Sequence, residues 1–223
     1  MDVNPEDALR WVHILSMVYW LGGEWGVFQT AYNVTNVKLA LDERRRHMET
    51  AYRIDILART GIIMLLPLGI HMGYNLGAQP LGGNFLVAVW IATALWLALC
   101  WGAFIYRDTD RGLAMTVWDE RIRFVLIPVL LGVGVVSLVE GAPLTAKWYA
   151  AKVTIYALML IIGLGLRFIM RHWVTIFREI AVKGPLPELQ RQLESEITLA
   201  RGMAYVYWVG IAAVAFLGAT KPF

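Results

Sequence analysis

At 223 residues, 58% of them hydrophobic and with a mean hydropathy of +0.56, the chain is far more apolar than a soluble domain, and its apolar residues come in long runs. That pattern points to an all-α integral membrane protein, with residues 1–223 forming a single transmembrane helical domain. The net charge of +3, carried by basic residues scattered through loops, gives no case for nucleic-acid binding, and the lone Cys100 excludes an internal disulfide framework or a multi-cysteine metal or iron–sulfur site.

Six spans are expected, at about 8–32, 52–77, 84–106, 122–140, 147–170 and 200–219, each long enough for a hydrocarbon core of about 30 Å. The first run has neither a charged leader nor a small-residue cleavage site, so it reads as a span rather than a signal peptide. His13, Met17, Trp20 and Glu24 recur on it at i, i+4, i+7 and i+11, which makes one face. A carboxylate at mid-membrane must be protonated, paired or hydrated. Glu24 therefore reads either as a proton relay or cofactor partner, or as a hydrogen-bond partner of Arg59 or Arg53. Gly22, Gly23 and Gly26 permit close approach by a helix or a flat cofactor.

A basic connection, 33–51, carries Lys38, Arg44, Arg45 and Arg46 and leads into the second span. Glu49, Arg53, Asp55 and Arg59 read as an ion-pair ladder, with Asp55 and Arg59 at the i, i+4 spacing that pairs on one face. Met64 and His71 share a face further along. Pro67 removes a backbone hydrogen bond one turn before His71 and is expected to kink the helix, while Gly69 and Gly73 clear space beside the ring.

Spans three and four are joined by 107–121, with Arg107, Arg111 and Arg121. The fifth opens on Lys147 and Trp148 and carries Lys152 one turn further in, with Tyr156 and Met159 continuing its face. An ammonium at that depth must snorkel or find an anion. Residues 171–199 carry Arg171, Arg178, Lys183 and Arg191, and the stretch GPLPELQRQLESE at 184–196 reads as a proline-punctuated turn followed by a short surface helix.

Connections 78–83 and 141–146 hold no basic residue. Assigning each Lys and Arg to its nearer face places 16 on the side of the basic loops and 4 (Arg10, Lys147, Lys152 and Lys221) on the other, accounting for the 20 present. The positive-inside rule then puts both termini in the periplasm, in a multi-pass protein of the bacterial inner membrane.

His13 and His71 enter the bilayer from the same face on neighbouring antiparallel helices, each roughly 7–8 Å deep at 1.5 Å rise per residue. Two imidazoles level with each other are expected to be axial ligands of a haem b, with Lys152 compensating a propionate and Trp20 and Tyr156 lining the macrocycle. The function that follows is cytochrome b-like electron transfer near the periplasmic face, in contact with lipid and with other redox subunits in the membrane or periplasm, self-association being left open. Three alternatives stand beside it. One is a haem-dependent membrane oxidase of protoporphyrinogen or another small reductant, with Glu24 and Lys152 as its catalytic residues; it needs an open coordination position. Another is a copper or other metal-ion carrier using the thioethers of Met17, Met64, Met72 and Met159 beside the two histidines. The last is a haem-free subunit of a larger complex. His47 and His172, just outside the spans on the basic face, mark a candidate second haem or metal site. The sequence holds no Walker loop, dinucleotide glycine fingerprint, HExxH or GxSxG.

Three stretches together resemble the haem-binding membrane protoporphyrinogen oxidases of the HemJ type and, more distantly, the copper-resistance D family. They are HILSMVYWLGGEW, similar to the family's opening helix, WYAAKVTIYALML, similar to its lysine-bearing helix, and the terminal GATKPF. Met48–Glu49 with Arg53 is a weaker match, and all these stretches cover under half of the chain. The resemblance implies a haem role for His13 and an active-site role for Lys152. The chain departs from that pattern in two extra spans over 84–140, in Tyr32–Asn33 at the end of the first helix, and in lacking a proline near Arg59. These departures bear more on porphyrinogen oxidation than on haem binding.

Overall fold

Capping chemistry sets the helix ends. In the computed structural model, which describes residues 4–223, α1 (Pro5–Val34) starts on Asn4, whose side chain accepts the Glu6 amide at 3.1 Å while Pro5 fills the first turn. α2 (Leu41–Asn75) continues through Pro67 as one helix, and α3 (Asn84–Ile105) follows. α4 (Asp110–Glu140) opens on Thr109, which accepts the Gly112 amide at 3.2 Å, and closes on Gly141 in the left-handed region at φ 75°. α5 (Lys147–Lys183) ends at Gly184, and α6 (Pro187–Thr220) begins with proline in its first turn.

α2 to α6 are each long and apolar enough to cross a membrane, the mark of a multi-pass membrane protein. α1 is not among those five, although it runs for 30 residues. Its aromatic and polar residues (Trp11, His13, Tyr19, Trp20, Glu24 and Trp25) and its three glycines lower its hydropathy. Ile14, Leu15 and Val18 nevertheless lie exposed along its outer side.

The basic connections are shorter than expected, because much of 33–51, 107–121 and 171–199 is helical. At the basic end, Trp173, Ile176, Phe177 and Ile180 of α5 bury against Leu193 and Ile197 of α6 and against Ala31 and Val34 of α1. This second core stabilises helical extensions whose outer faces are charged, a mixture that average hydropathy reads as loop. The proline-punctuated turn forms at its expected place, but the helix after it is the opening of α6 rather than a separate element.

Each helix packs on its neighbour in sequence, and α1 also packs on α6. The closest crossing joins α1 to α2, where Gly23 lies against Ala58, and Gly61 lies against the backbone of Ser16 and Trp20. Tyrosines tie α5 to α2 across the bundle. Tyr156 Oη donates to the Ile62 carbonyl at 2.7 Å and Tyr149 Oη to the Gly69 carbonyl at 3.1 Å. The start of α1 and the end of α6 lie at one end of the bundle, as antiparallel packing of six helices dictates. There the two connections without basic residues join through Thr145, whose amide donates to the Ala78 carbonyl at 3.1 Å.

Candidate functional site

The end where α1 starts and α6 finishes contains a cavity of about 590 Å³ walled by α1, α2, α5 and α6, with Leu130 of α4. His13, Met17 and Trp20 enter it from α1; Gly69 and Met72 from α2; Trp148, Lys152 and Tyr156 from α5. Helical geometry explains the grouping. His13, Met17 and Trp20 share a face of α1, and Trp148, Lys152 and Tyr156 follow one another at i, i+4 and i+8 on α5. Lys152 Nζ stands 3.5 Å from His13 Nε2 and beside Gly218, where any side chain would displace it. It has no carboxylate partner among the described residues. His13 Nδ1 is buried without a hydrogen-bond partner. Lys221 caps Trp148, its Nζ 5.6 Å from the ring centre.

His71 does not join this group. Its neighbours Gly69, Ile70, Met72 and Gly73 line the cavity, while its own ring turns toward α3 and its Nδ1 accepts from Trp90 Nε1 at 3.3 Å. His13 and His71 are level in sequence depth, but on α2 a residue two positions from Gly69 points about 200° away from it, at 3.6 residues per turn. The two imidazoles are thus not brought together: His13 faces Lys152, and His71 faces Trp90. Gly73 accommodates the ring of Tyr149, and of the two expected flanking glycines only Gly69 opens toward His13. The four thioethers also part company. Met17 and Met72 line the cavity, Met159 packs against Gly210 in the core, and Met64 lines neither cavity described here. At the basic end, His172 pairs with Glu196, and His47 sits on the α2 extension. Among the described residues no group of three or more His, Cys, Asp or Glu is placed to hold a metal ion.

Toward the basic end lies a smaller cavity of about 70 Å³, lined by Glu24, Asp55, Arg59, Arg123, Arg167 and Tyr207 among apolar residues. Trp20, on the wall of the terminal cavity, donates from Nε1 to Oη of Tyr207, on the wall of the inner one, at 2.9 Å. Arg59 pairs with Asp55, and Arg53 donates to Glu49 at 3.2 Å, so the ladder forms as two separate i, i+4 pairs. Glu24 bonds to neither Arg59 nor Arg53, and it has no ion-pair or hydrogen-bond partner among the described residues.

Beside it stands a charge network that the sequence reading missed. Asp119 is fully buried, accepts from Trp96 Nε1 at 2.6 Å, and pairs with Arg123 at 3.3 Å and with Arg167. Glu120 pairs with Arg171. One signal was available: Asp119/Arg123 on α4 and Arg167/Arg171 on α5 are both i, i+4 pairs near the basic ends of consecutive antiparallel helices, where opposite charges meet. Placing 107–121 in a loop hid it.

Comparison with protein-family models, with curated proteins and with solved structures finds no match to this chain.

Proposed function

We propose that this chain is a b-type haem-binding protein of the bacterial inner membrane, with the cofactor in the terminal cavity beside His13. In this reading α1 is a sixth span and both termini lie in the periplasm, consistent with 16 Lys and Arg on one face and 4 on the other. One observation carries the reading. A cavity of about 590 Å³, within the cofactor-sized range of roughly 300–1,000 Å³, sets the His13 imidazole beside the Lys152 ammonium, which has no carboxylate within ion-pairing distance, in mostly apolar walls with Glu6, Arg10 and Lys221 also on the lining. The residues suit the group: His13 would offer a ring nitrogen to the iron, and its Nδ1 has no protein partner. Lys152 would neutralise a propionate, Trp20 and Tyr156 form the cavity floor, and bare Gly69 and Gly218 keep the walls apart.

A bound haem supplies one-electron chemistry, tuned by its ligands and by the polarity around it. The chain's own part is to bury and orient it, and to hold Lys152 as the counter-charge. Electron transfer with membrane or periplasmic redox subunits is the first reading. A second reading, oxidation of protoporphyrinogen or another small reductant, is favoured by a specific observation: with His71 turned to Trp90, only one imidazole faces the cavity.

The visible spectrum of detergent-purified protein, oxidised and reduced, tests both. Reducible haem b absorption is expected in the wild type and in His71→Ala, and its loss in His13→Ala. A low-spin signature supports electron transfer, and a high-spin one supports substrate oxidation. A colourless wild type from haem-replete cells would overturn the proposal.

A further inference from the structure

The inner cavity is too small for an organic cofactor, and its largely apolar wall carries a cluster of charged groups. About 70 Å³ of space holds on the order of five waters, provided polar groups are there to bind them. Glu24, Asp55, Arg59, Arg123, Arg167 and Tyr207 supply those groups. Two further donors point the same way: the indole nitrogens of Trp173 and Trp208, both on the cavity wall, are buried with no protein partner. Buried N–H groups are rarely left unbonded, and here the available acceptor is water.

We infer that Glu24 is a proton-exchanging carboxyl served by water held in this cavity. The charges around it explain how both of its states are tolerated. Four guanidinium groups (Arg59, Arg123, Arg167 and Arg171) are paired with three carboxylates, Asp55, Asp119 and Glu120. Ionised Glu24 brings the cluster to neutrality, and protonated Glu24 leaves it with one positive charge. The groups that face it are Asp55 and Arg59 from α2, Arg123 from α4, Arg167 from α5 and Tyr207 from α6, with Cys100 of α3 behind them. The step is a proton passing from a hydronium ion, delivered through the cavity waters from the aqueous phase at the basic end, to a carboxylate oxygen: one O–H bond of the hydronium breaks, one O–H bond of the carboxyl forms, and a neutral water is left.

The cavity runs from Glu24 toward Val34, Met48 and Trp173 at the basic end. Arg44 lies there, donating to the Val34 carbonyl at 2.8 Å and to Gln190 at 3.2 Å. This sets the direction of supply. In the other direction Glu24 stands four residues from Trp20, about 6 Å along the helix and one turn beyond the floor of the terminal cavity. An electron added in that cavity draws a proton to Glu24, a coupling that rests on the haem reading above.

Infrared difference spectroscopy of the full-length protein in lipid nanodiscs tests the proton site, with pH titrations in H₂O and D₂O. The wild type is expected to show a carboxylic-acid C=O band that fades as pH rises and shifts in D₂O. The band is expected to be absent from Glu24→Gln and displaced in Glu24→Asp. Wild-type spectra that match those of Glu24→Gln at every pH, or a band unmoved by pH, overturn it. A protein that shows the band but binds no haem keeps the proton site and ends the cofactor reading. A haem protein whose midpoint potential has the same pH slope in wild type and Glu24→Gln ends the coupling.

Discussion

The Lys152 ammonium points at the His13 imidazole from the opposite wall of the terminal cavity, Nζ 3.5 Å from Nε2, with Gly218 bare behind it. An ammonium held in mostly apolar surroundings calls for an anion, and no carboxylate of the described residues lies within 4.0 Å of it. A charge-assisted hydrogen bond to a carboxylate contributes about 1.5–3 kcal/mol, so Lys152→Met is expected to weaken haem binding roughly 10- to 100-fold. Lys152→Arg is expected to keep most of the affinity. Titration of apo-protein with haem reads the difference, and equal affinities for wild type and Lys152→Met would show that Lys152 holds no propionate.

Membrane class, the position of most apolar spans and the turn at Gly184–Pro187 were legible because they rest on local composition and capping. Helical periodicity grouped His13 with Met17 and Trp20, which line the terminal cavity with it, while Glu24, a turn further on, lines the inner one. Rotation was not legible. Equal spacing from the ends of their spans suggested a shared site for His13 and His71, yet which way α2 turns is settled by Gly61 and Ala58 locking against α1, a contact between residues far apart in sequence. The Asp119 network was hidden for a different reason. Its charges lower hydropathy locally, so a helix end that buries ion pairs reads like a loop. Lys152 was read as facing an anion; that it faces His13 required the packing of α1 against α6.

The His71–Trp90 hydrogen bond, 3.3 Å long, has a packing role in this arrangement. Replacing His71 with Phe keeps the ring volume and removes the acceptor, leaving the Trp90 indole unbonded. A cost of about 0.5–1.5 kcal/mol is expected, with haem content and spectrum unchanged. Chemical unfolding in detergent measures the first and the pyridine haemochrome assay the second. Loss of haem in His71→Phe would return His71 to the ligand set.

Gly61 tests the crossing that sets this rotation. A Cβ added there meets the Ser16 carbonyl and the Trp20 amide, which are backbone atoms that cannot swing aside. Gly61→Ala is expected to cost about 1–3 kcal/mol by forcing α1 and α2 apart, outweighing the gain of up to about 1 kcal/mol in helix propensity. Gly22→Ala is the control: nothing lies within 4 Å of its added Cβ, so stability is expected to hold or rise slightly. Equal stability of the two variants would mean that the crossing is looser than the described contact.

Asp119 separates a structural network from a hydrated one. It is 0% exposed and holds Arg123, Arg167 and the Trp96 indole at once. Asp119→Ala strands the Arg123 guanidinium and leaves Arg167 only its longer contact with Glu120 at 3.9 Å, an uncompensated buried charge that costs about 3–5 kcal/mol. Charge, rather than volume, is the cause if the triple variant Asp119→Leu, Arg123→Met, Arg167→Met regains most of the loss, since apolar replacement of a whole buried ion-pair cluster is often neutral. Equilibrium unfolding in mixed micelles compares the two. A single variant as stable as the wild type would mean that water from the neighbouring cavity solvates both arginines, and the network would then belong to the hydrated cavity rather than to the dry core.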